Sequence, residues 1–138
     1  MSAVIEHLRN VPLFRGMPEY ALETVADRAS ETTFEAGQTV TREGEPGDTF
    51  YIIVEGHLRV SQQGSAIREL GPGDFLGEIA LVDGRPRTAT VTAVGPVEAL
   101  VIRRADFLEM IEFDSAVRLG ILMALTERIR NTDPGHVD

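Results

Sequence analysis

The stretch at residues 73–93 reads GDFLGEIALVDGRPRTATVTA and differs from the chain on either side of it. A Gly-Glu pair opens a short apolar run, a Gly-Arg-Pro-Arg turn follows, and an alternating strand pattern begins at Arg87. The run from Glu78 to Val82 can form a single helical turn, whose first N–H groups have no partners inside the helix. The stretch therefore predicts a short helix between two strands, with unpaired backbone donors where the helix begins.

The polar groups of this stretch suit a small anion that carries a sugar. Unpaired amides and the helix dipole at Glu78–Val82 attract a phosphate, and Gly77 lets a ligand approach the backbone closely. The guanidinium of Arg87 can bind two phosphate oxygens at once, and Thr88 adds a hydroxyl beside it. Glu78 only accepts hydrogen bonds when it is ionised, so it suits a sugar hydroxyl. The residues together predict donors for a phosphate and one acceptor for a ribose.

The composition of the chain bounds its class and its partners. At 138 residues it is expected to form one domain, residues 1–138, with a sizeable core. It has no cysteine, which excludes disulfides and fits a reducing, cytoplasmic location. The N-terminal sequence MSAVIEHLRN does not resemble a signal peptide, and no apolar run approaches the roughly 20 residues of a membrane span. The formal charge of −9 disfavours binding to nucleic acid and to anionic lipid.

The pattern of apolar residues and glycines divides the chain into three segments. Residues 1–31 have the spacing of helices, residues 32–104 contain short β-rich runs between glycines, and residues 105–131 return to helical spacing. This order predicts an α+β fold in which a jelly-roll-like antiparallel β-roll lies between two helical segments. We expect TFYIIVEG and HLRVSQQG to be paired strands and VEALVIR to be the closing strand. Asp106 and Glu109 resemble a capping box for the next helix.

Residues 73–93 resemble the phosphate-binding cassette of the cyclic nucleotide-binding domain family. This family includes catabolite activator proteins, regulatory subunits of cyclic-AMP-dependent kinase and domains of cyclic-nucleotide-gated channels. Its pattern is Phe-Gly-Glu-(Leu/Ile)-Ala-Leu, a short turn, and Arg-(Ala/Ser/Thr)-Ala-(Thr/Ser). The chain has LGEIAL, VDGRP and RTAT, and departs from the pattern at Leu76. The resemblance covers nearly the whole chain: VPLFRGMPEYALETVADRA is similar to the N-terminal helical segment, and ADFLEMI and the last helix are similar to the hinge and lid helices.

The resemblance implies a non-catalytic regulatory module that binds cyclic AMP, with cyclic GMP as a competitor. Glu78 would hold the ribose 2′-hydroxyl, while Arg87, the amides of Ile79 and Ala80, and the Thr88 hydroxyl would hold the cyclic phosphate. The implied ligand-binding set is Leu76, Gly77, Glu78, Ile79, Ala80, Arg87, Thr88 and Ala89. In cyclic-GMP-preferring members a threonine at the position of Thr88 contacts the guanine amino group. We therefore expect cyclic AMP to be preferred by less than about 100-fold.

Two other interpretations stay open. A cupin-type metal-dependent enzyme also has a Gly-rich β-roll, but it needs a His-x-His pair, and His7, His57 and His136 are isolated in the sequence. A degenerate member could keep the fold without binding, although an unliganded buried arginine or glutamate would be costly. No Ser/His/Asp or Cys/His set appears, so we expect neither catalysis nor a metal site. Arg85 is expected to be a solvated turn residue.

The C-terminal helix, from about Ser115 to Arg130, has apolar residues on two sides. One arc contains Val117, Ile121, Leu122, Ala124, Leu125 and Ile129, and the other contains Ala116, Leu119 and Met123. We expect one arc to close over the β-roll when ligand binds and the other to support a homodimer. Packing of the second arc on the N-terminal helices is the alternative.

Arg128, on the same helix, is a candidate for stacking near the base. The chain stops eight residues after Arg130 without a DNA-binding module, a kinase or a channel segment. We therefore expect the regulatory output to lie on another chain, or in a longer protein, through a partner that the sequence does not identify.

Overall fold

The structure is a computed structural model that describes the backbone of residues 2–132. Within that range it describes every side chain except those at positions 2, 3, 78, 79, 128, 129, 131 and 132. The chain divides into two compact units. One unit is Arg28–Leu108, and the other is formed by the two ends of the chain, up to Asp27 and from Glu109 onward.

The unit Arg28–Leu108 is a β-roll of two four-stranded antiparallel sheets. The first sheet has the order β1 (Ser30–Phe34), β8 (Val97–Arg103), β3 (Thr49–Glu55) and β6 (Phe75–Leu76). The second sheet has the order β2 (Thr39–Thr41), β7 (Thr90–Ala93), β4 (Leu58–Gln62) and β5 (Ser65–Leu70). With helices before and after the strands, the structure confirms the predicted α+β fold.

The core of the roll is built from strand residues that alternate between buried and exposed positions. In β4, Leu58 and Val60 are buried while Arg59 between them is exposed, as the two-residue period of a strand requires. The buried cluster contains Ile53, Leu58, Val60, Leu70, Val91, Ala93 and Val97. Because these side chains come from both sheets, burial of apolar surface holds the sheets together.

Three predicted boundaries were wrong by a few residues. The first strand begins at Ser30, before the predicted start of the β-roll at residue 32, and the preceding helix ends at Arg28. The first C-terminal helix begins at Arg104 rather than at residue 105. The strand predicted to begin at Arg87 begins only at Thr90. Thus residues 87–89, which carry predicted ligand contacts, lie outside regular structure.

The predicted pairing of TFYIIVEG with HLRVSQQG was also wrong. The first becomes β3, which pairs with β6 and β8, and the second becomes β4, which pairs with β5 and β7. Gly56 connects the two strands with a φ of 95°, and a Cβ there would lie 2.3 Å from the carbonyl oxygen of Pro96. The chain therefore passes from one sheet to the other at Gly56 instead of forming a hairpin.

The helices lie at the two ends of the chain, apart from one within the β-roll. They are α1 (Ser2–Arg9), α2 (Pro12–Arg15), α3 (Glu19–Arg28), α4 (Glu78–Asp83), α5 (Arg104–Phe113) and α6 (Ser115–Thr132). Helix α6 packs on α2, and a Cβ at Gly120 would lie 2.7 Å from Cγ of Met17. Gly120 therefore lets α6 approach the N-terminal helices closely.

The caps of the C-terminal helices differ from the prediction. Asp106 lies inside the first turn of α5, where its Oδ1 accepts a hydrogen bond from Nη1 of Arg28 at 3.0 Å, so the predicted capping box was wrong. Asp114 caps α6 instead. Its Oδ1 accepts hydrogen bonds from the amides of Ala116 at 3.0 Å and Val117 at 3.1 Å.

The two faces of α6 are divided differently from the predicted arcs. Val117 and Ile121 are buried, whereas Leu119, Leu122 and Met123 are 58%, 57% and 64% exposed. Leu122 therefore belongs to the exposed arc and not to the buried one. Since Leu119 and Met123 are also exposed, the alternative that they pack on the N-terminal helices was wrong.

Candidate functional site

The predicted short helix is α4, and a glycine in the left-handed conformation lies at each end of it. Gly77 has a φ of 88°, and its carbonyl accepts the amide of Leu81 at 3.1 Å. Gly84 has a φ of 65°, and its amide donates to the carbonyl of Ala80 at 2.9 Å. These caps confine α4 to a short segment whose first amides have no intrahelical acceptors.

Gly77 is required by the side chain of Arg87. A Cβ at Gly77 would lie 2.5 Å from Nη1 of Arg87 and 2.5 Å from the carbonyl oxygen of Thr49. No side chain fits there, so the glycine makes room for the guanidinium next to the start of α4. The sequence predicted Gly77 as a point of ligand approach, and the structure gives it this second role.

The turn between β2 and β3 holds the backbone of Arg87, and the first residue of β3 holds its side chain. Its amide donates to the carbonyl of Glu45 at 2.8 Å, and its carbonyl accepts the amide of Gly44 at 2.8 Å. Its Nη2 donates to the carbonyl of Thr49 at the start of β3. The position of the guanidinium is therefore set by residues about 40 positions away in the sequence, between β2 and β3.

The electrostatics of Arg87 suit an anionic ligand. Burial lowers the pKa of its guanidinium from the ordinary value, while Tyr51 and Asp48 raise it by a smaller amount. Among the described side chains, no carboxylate lies at ion-pair distance from Arg87. A guanidinium has five N–H donors, and the Thr49 carbonyl accepts only one of them. A half-buried cation with donors to spare is suited to a ligand that brings a negative charge.

The turn between β2 and β3 packs closely against α4. Gly47 is buried, and a Cβ there would lie 2.6 Å from Cβ of Ala80 and 2.7 Å from the carbonyl oxygen of Arg85. No role for this segment was predicted from the sequence. The paired glycines Gly44 and Gly47 were its only signal in the sequence.

The other predicted contact residues are distributed around Arg87 and α4. Ala80 is buried against Gly47, and Leu76 and Ala89 pack on the core of the roll. The side chain of Thr88 is exposed, and its carbonyl accepts Nε2 of Gln62 at 3.0 Å. Arg85 is exposed, as expected of a solvated turn residue.

Three predicted side chains, those of Glu78, Ile79 and Arg128, lie outside the described residues. The backbone of the first two forms the first turn of α4. Among the described residues, no group of three or more histidines or carboxylates is arranged to hold a metal ion. Within the same part of the chain, no helix combines the length and the apolar character needed to cross a bilayer.

The chain matches one protein family and is similar to a curated protein. Residues 31–114 match the family model described as "Cyclic nucleotide-binding domain". A curated relative, the cAMP-dependent protein kinase regulatory subunit of Dictyostelium discoideum, is 38% identical over 110 residues, which are 74% of this chain. The match spans only 34% of that relative's length.

Several solved structures are similar to this chain in fold. The N-terminal domain of a transcriptional regulator from Streptomyces coelicolor A3(2) superposes with a TM-score of 0.87 at 30% identity, covering 96% of this chain and 98% of that one. A cyclic nucleotide-binding-like protein from Brucella abortus has a TM-score of 0.74 at 32% identity, covering 80% and 98%. The regulatory domain of Toxoplasma gondii PKA, crystallised with cAMP, has a TM-score of 0.74 at 28% identity, covering 94% and 49%.

Proposed function

This chain belongs to the cyclic nucleotide-binding domain family, and from that premise we propose that its main ligand is cyclic AMP, with cyclic GMP as a competitor. The preference for cyclic AMP is supported by the relatives. The Dictyostelium protein is named for dependence on cAMP, and the Toxoplasma domain was crystallised with it. The proposal assigns the chain a non-catalytic role as a sensor whose output lies in a partner.

The position of Arg87 is the observation that carries this proposal. Its guanidinium lies beside Gly77, where the backbone of α4 begins. The phosphate of a cyclic nucleotide is a monoanion, so it would receive hydrogen bonds from Arg87 and from the amides of Ile79 and Ala80. The exposed Thr88 hydroxyl would add a further donor. Glu78 would accept a hydrogen bond from the ribose 2′-hydroxyl, and Leu76, Gly77 and Ala89 would shape the floor of the site.

The cyclic phosphate also explains why a half-buried arginine is tolerated here. Burial makes the charged guanidinium less favourable, as the lowered pKa of Arg87 indicates. An anion at the same place compensates for the lost hydration. A buried charge that is paired and hydrogen-bonded stabilises the bound state, whereas the same charge without a partner is a cost to the fold.

We also propose that ligand binding is linked to a rearrangement of α6. The exposed apolar side chains Leu119, Leu122 and Met123 support this because a row of large apolar residues on one helix face favours association. In one state this face would be covered by a second copy of the chain, which would make a homodimer. Arg128 on the same helix is proposed to lie near the base when the ligand is bound.

Thermal unfolding with added nucleotide tests the choice of ligand. Cyclic AMP at 100 times its dissociation constant should stabilise the protein by about 2.7 kcal/mol. Adenosine 5′-monophosphate is the matched control, because it has the same base and sugar but carries an open, more highly charged phosphate. Equal stabilisation by both nucleotides, or by neither, would contradict the proposal.

Thr88 is predicted to limit the selectivity between the two cyclic nucleotides. Its exposed hydroxyl can accept a hydrogen bond from the 2-amino group of guanine, and adenine has no amino group at that position. Thr88→Ala should therefore raise the preference for cyclic AMP by about 3- to 10-fold, the effect of one hydrogen bond. Competition binding of cyclic AMP against cyclic GMP measures the ratio. An unchanged ratio would show that Thr88 does not contact the base.

A further inference from the structure

The last residues of β4 hold the chain where it leaves the sheet toward Arg87. Strand β4 pairs with β7 from Leu58 opposite Ala93 to Ser61 opposite Thr90. The β4–β7 register ends at Ser61 opposite Thr90, so the backbone ladder does not extend to Thr88. The side-chain Nε2 of Gln62 donates to this carbonyl at 3.0 Å. A side-chain amide thus continues the ladder by one more hydrogen bond.

The hairpin that carries Gln62 is itself held in place. Gln63 and Gly64 form its turn with φ values of 51° and 84°, the positive values that a tight two-residue hairpin requires. The amide of Gln63 donates to Oε1 of Glu43 at 3.0 Å, and the amide of Glu43 donates to Oγ1 of Thr90 at 3.0 Å. The tip of the hairpin is therefore tied to the same turn that holds the backbone of Arg87.

Residues 87–89 are consequently fixed from two directions. On one side, Gly44 and Glu45 hydrogen-bond to the backbone of Arg87. On the other side, Gln62 hydrogen-bonds to the backbone of Thr88. These three residues of the chain form no regular structure, so removal of either support would leave the segment free to rotate about the other.

We propose that Gln62 is a positioning residue of the cyclic nucleotide site, acting through the carbonyl of Thr88. The inference rests on the proposed function, since it assigns Gln62 to the same site. By fixing the Thr88–Ala89 peptide, Gln62 orients both the Thr88 hydroxyl and the adjoining Arg87 before ligand arrives. A group that is already in its bound position loses less conformational freedom on binding, and affinity rises accordingly.

A purely structural role for Gln62 is the competing interpretation. Its side chain is exposed, and an exposed hydrogen bond contributes little to the stability of a fold. The two roles predict different results. A structural role changes the unfolding of the protein without ligand, whereas a positioning role changes ligand affinity and selectivity while unfolding stays the same.

The test substitutes Gln62 by Met, which keeps the length of the side chain but removes its donor. Q62M should weaken cyclic AMP binding by about 3- to 10-fold, the effect of one hydrogen bond. It should also change the ratio of cyclic AMP to cyclic GMP affinity, because the Thr88 hydroxyl loses its fixed orientation. Q62E should weaken binding further, since its carboxylate faces the Thr88 carbonyl with no donor.

Q63N is the matched control, because Gln63 is the adjacent residue and asparagine tolerates its positive φ. It should bind as the unsubstituted protein does.

Hydrogen exchange without ligand provides the second measurement. The amides of residues 88–90 should exchange faster in Q62M than in Q63N, while the thermal midpoint of the two variants stays equal. If the unsubstituted protein binds cyclic AMP and Q62M binds it equally well, this inference is wrong and the proposed function stands. If no cyclic nucleotide binds the unsubstituted protein, the proposed function fails. Equal exchange in the two variants would overturn the positioning role by itself.

Discussion

The central contact at the scale of single residues joins Gly77, Arg87 and Thr49. The guanidinium occupies the space that a side chain at position 77 would need, and the Thr49 carbonyl accepts its hydrogen bond. A cation at this place lies where the backbone of α4 presents its first amides. Position 77 must therefore be a glycine for two independent reasons, its φ of 88° and the lack of space.

We predict that Gly77→Ala destabilises the protein more than a glycine substitution that meets only the unfavourable φ. A non-glycine residue in the left-handed region costs about 1–2 kcal/mol, and the crowding against Arg87 adds about 1–3 kcal/mol. Gly73→Ala is the matched control, because Gly73 has a φ of 89° and nothing within 4 Å of the added Cβ. Denaturant unfolding should show the larger loss for Gly77→Ala, together with a loss of nucleotide binding that Gly73→Ala does not share. Equal losses of stability would mean that Arg87 does not fill this space.

The residue types of the candidate site could be proposed from the sequence, but the groups that hold Arg87 and Thr88 in place could not. Gly77 and Arg87 both lie in one contiguous motif, within the stretch at residues 73–93. Thr49 and Gln62 are 38 and 26 positions from their partners. Their roles depend on which strands meet, and no local pattern specifies that. Thr49 is also invisible to motif reasoning because it acts through its backbone carbonyl.

At the scale of elements, the strands were predictable and their partners were not. Alternating burial in β4 follows from a two-residue period that the sequence shows directly. The order of strands in each sheet depends on long-range contacts across the roll. The chain runs from β3 to β4 through Gly56, and a glycine alone does not distinguish a hairpin from a change of sheet. The error in pairing therefore came from assuming that consecutive strands are neighbours.

Helix α6 depends on a cap that the sequence analysis had not identified. The carboxylate of Asp114 accepts two amides of the first turn, so Asp114→Ala should lower the free energy of unfolding by about 1 kcal/mol, within a range of 0.5–2. Asp114→Asn is the matched control, because an asparagine oxygen caps a helix nearly as well. Thermal unfolding of the two variants measures the difference. If the Ala and Asn variants were equally stable, the cap would contribute nothing.

At the scale of the whole molecule, the chain that carries the candidate anion site has a formal charge of −9. The general field opposes binding, but it is screened over about 10 Å at ordinary ionic strength. In the proposed complex, Arg87 and the backbone amides would act at hydrogen-bond distance, where screening is weak. The local arrangement therefore decides the affinity, and added salt should change nucleotide binding only slightly.

The proposed rearrangement of α6 should change both hydrogen exchange and the proportion of dimer. If cyclic AMP shifts the helix between two states, hydrogen exchange across residues 115–130 should change on binding. Sedimentation with and without the nucleotide should show a change in the proportion of dimer. Leu122→Glu places a charge on the exposed face of α6 and should abolish the dimer without unfolding the helix. A monomer in both conditions, with unchanged exchange, would contradict the linkage and the dimer together.

Calorimetric titration of cyclic AMP into Arg87→Ala and Arg85→Ala tests the central claim most directly. Both changes remove one arginine from the same loop, but Arg85 is exposed, and Arg87 lies beside the start of α4. Truncating one partner of a buried charged pair costs about 2–5 kcal/mol, so Arg87→Ala should raise the dissociation constant by at least about 30-fold. Arg85→Ala should change it by less than about 3-fold, and unfolding without ligand should show that both variants are folded. Equal losses in the two variants, or no loss in Arg87→Ala, would show that the phosphate binds elsewhere.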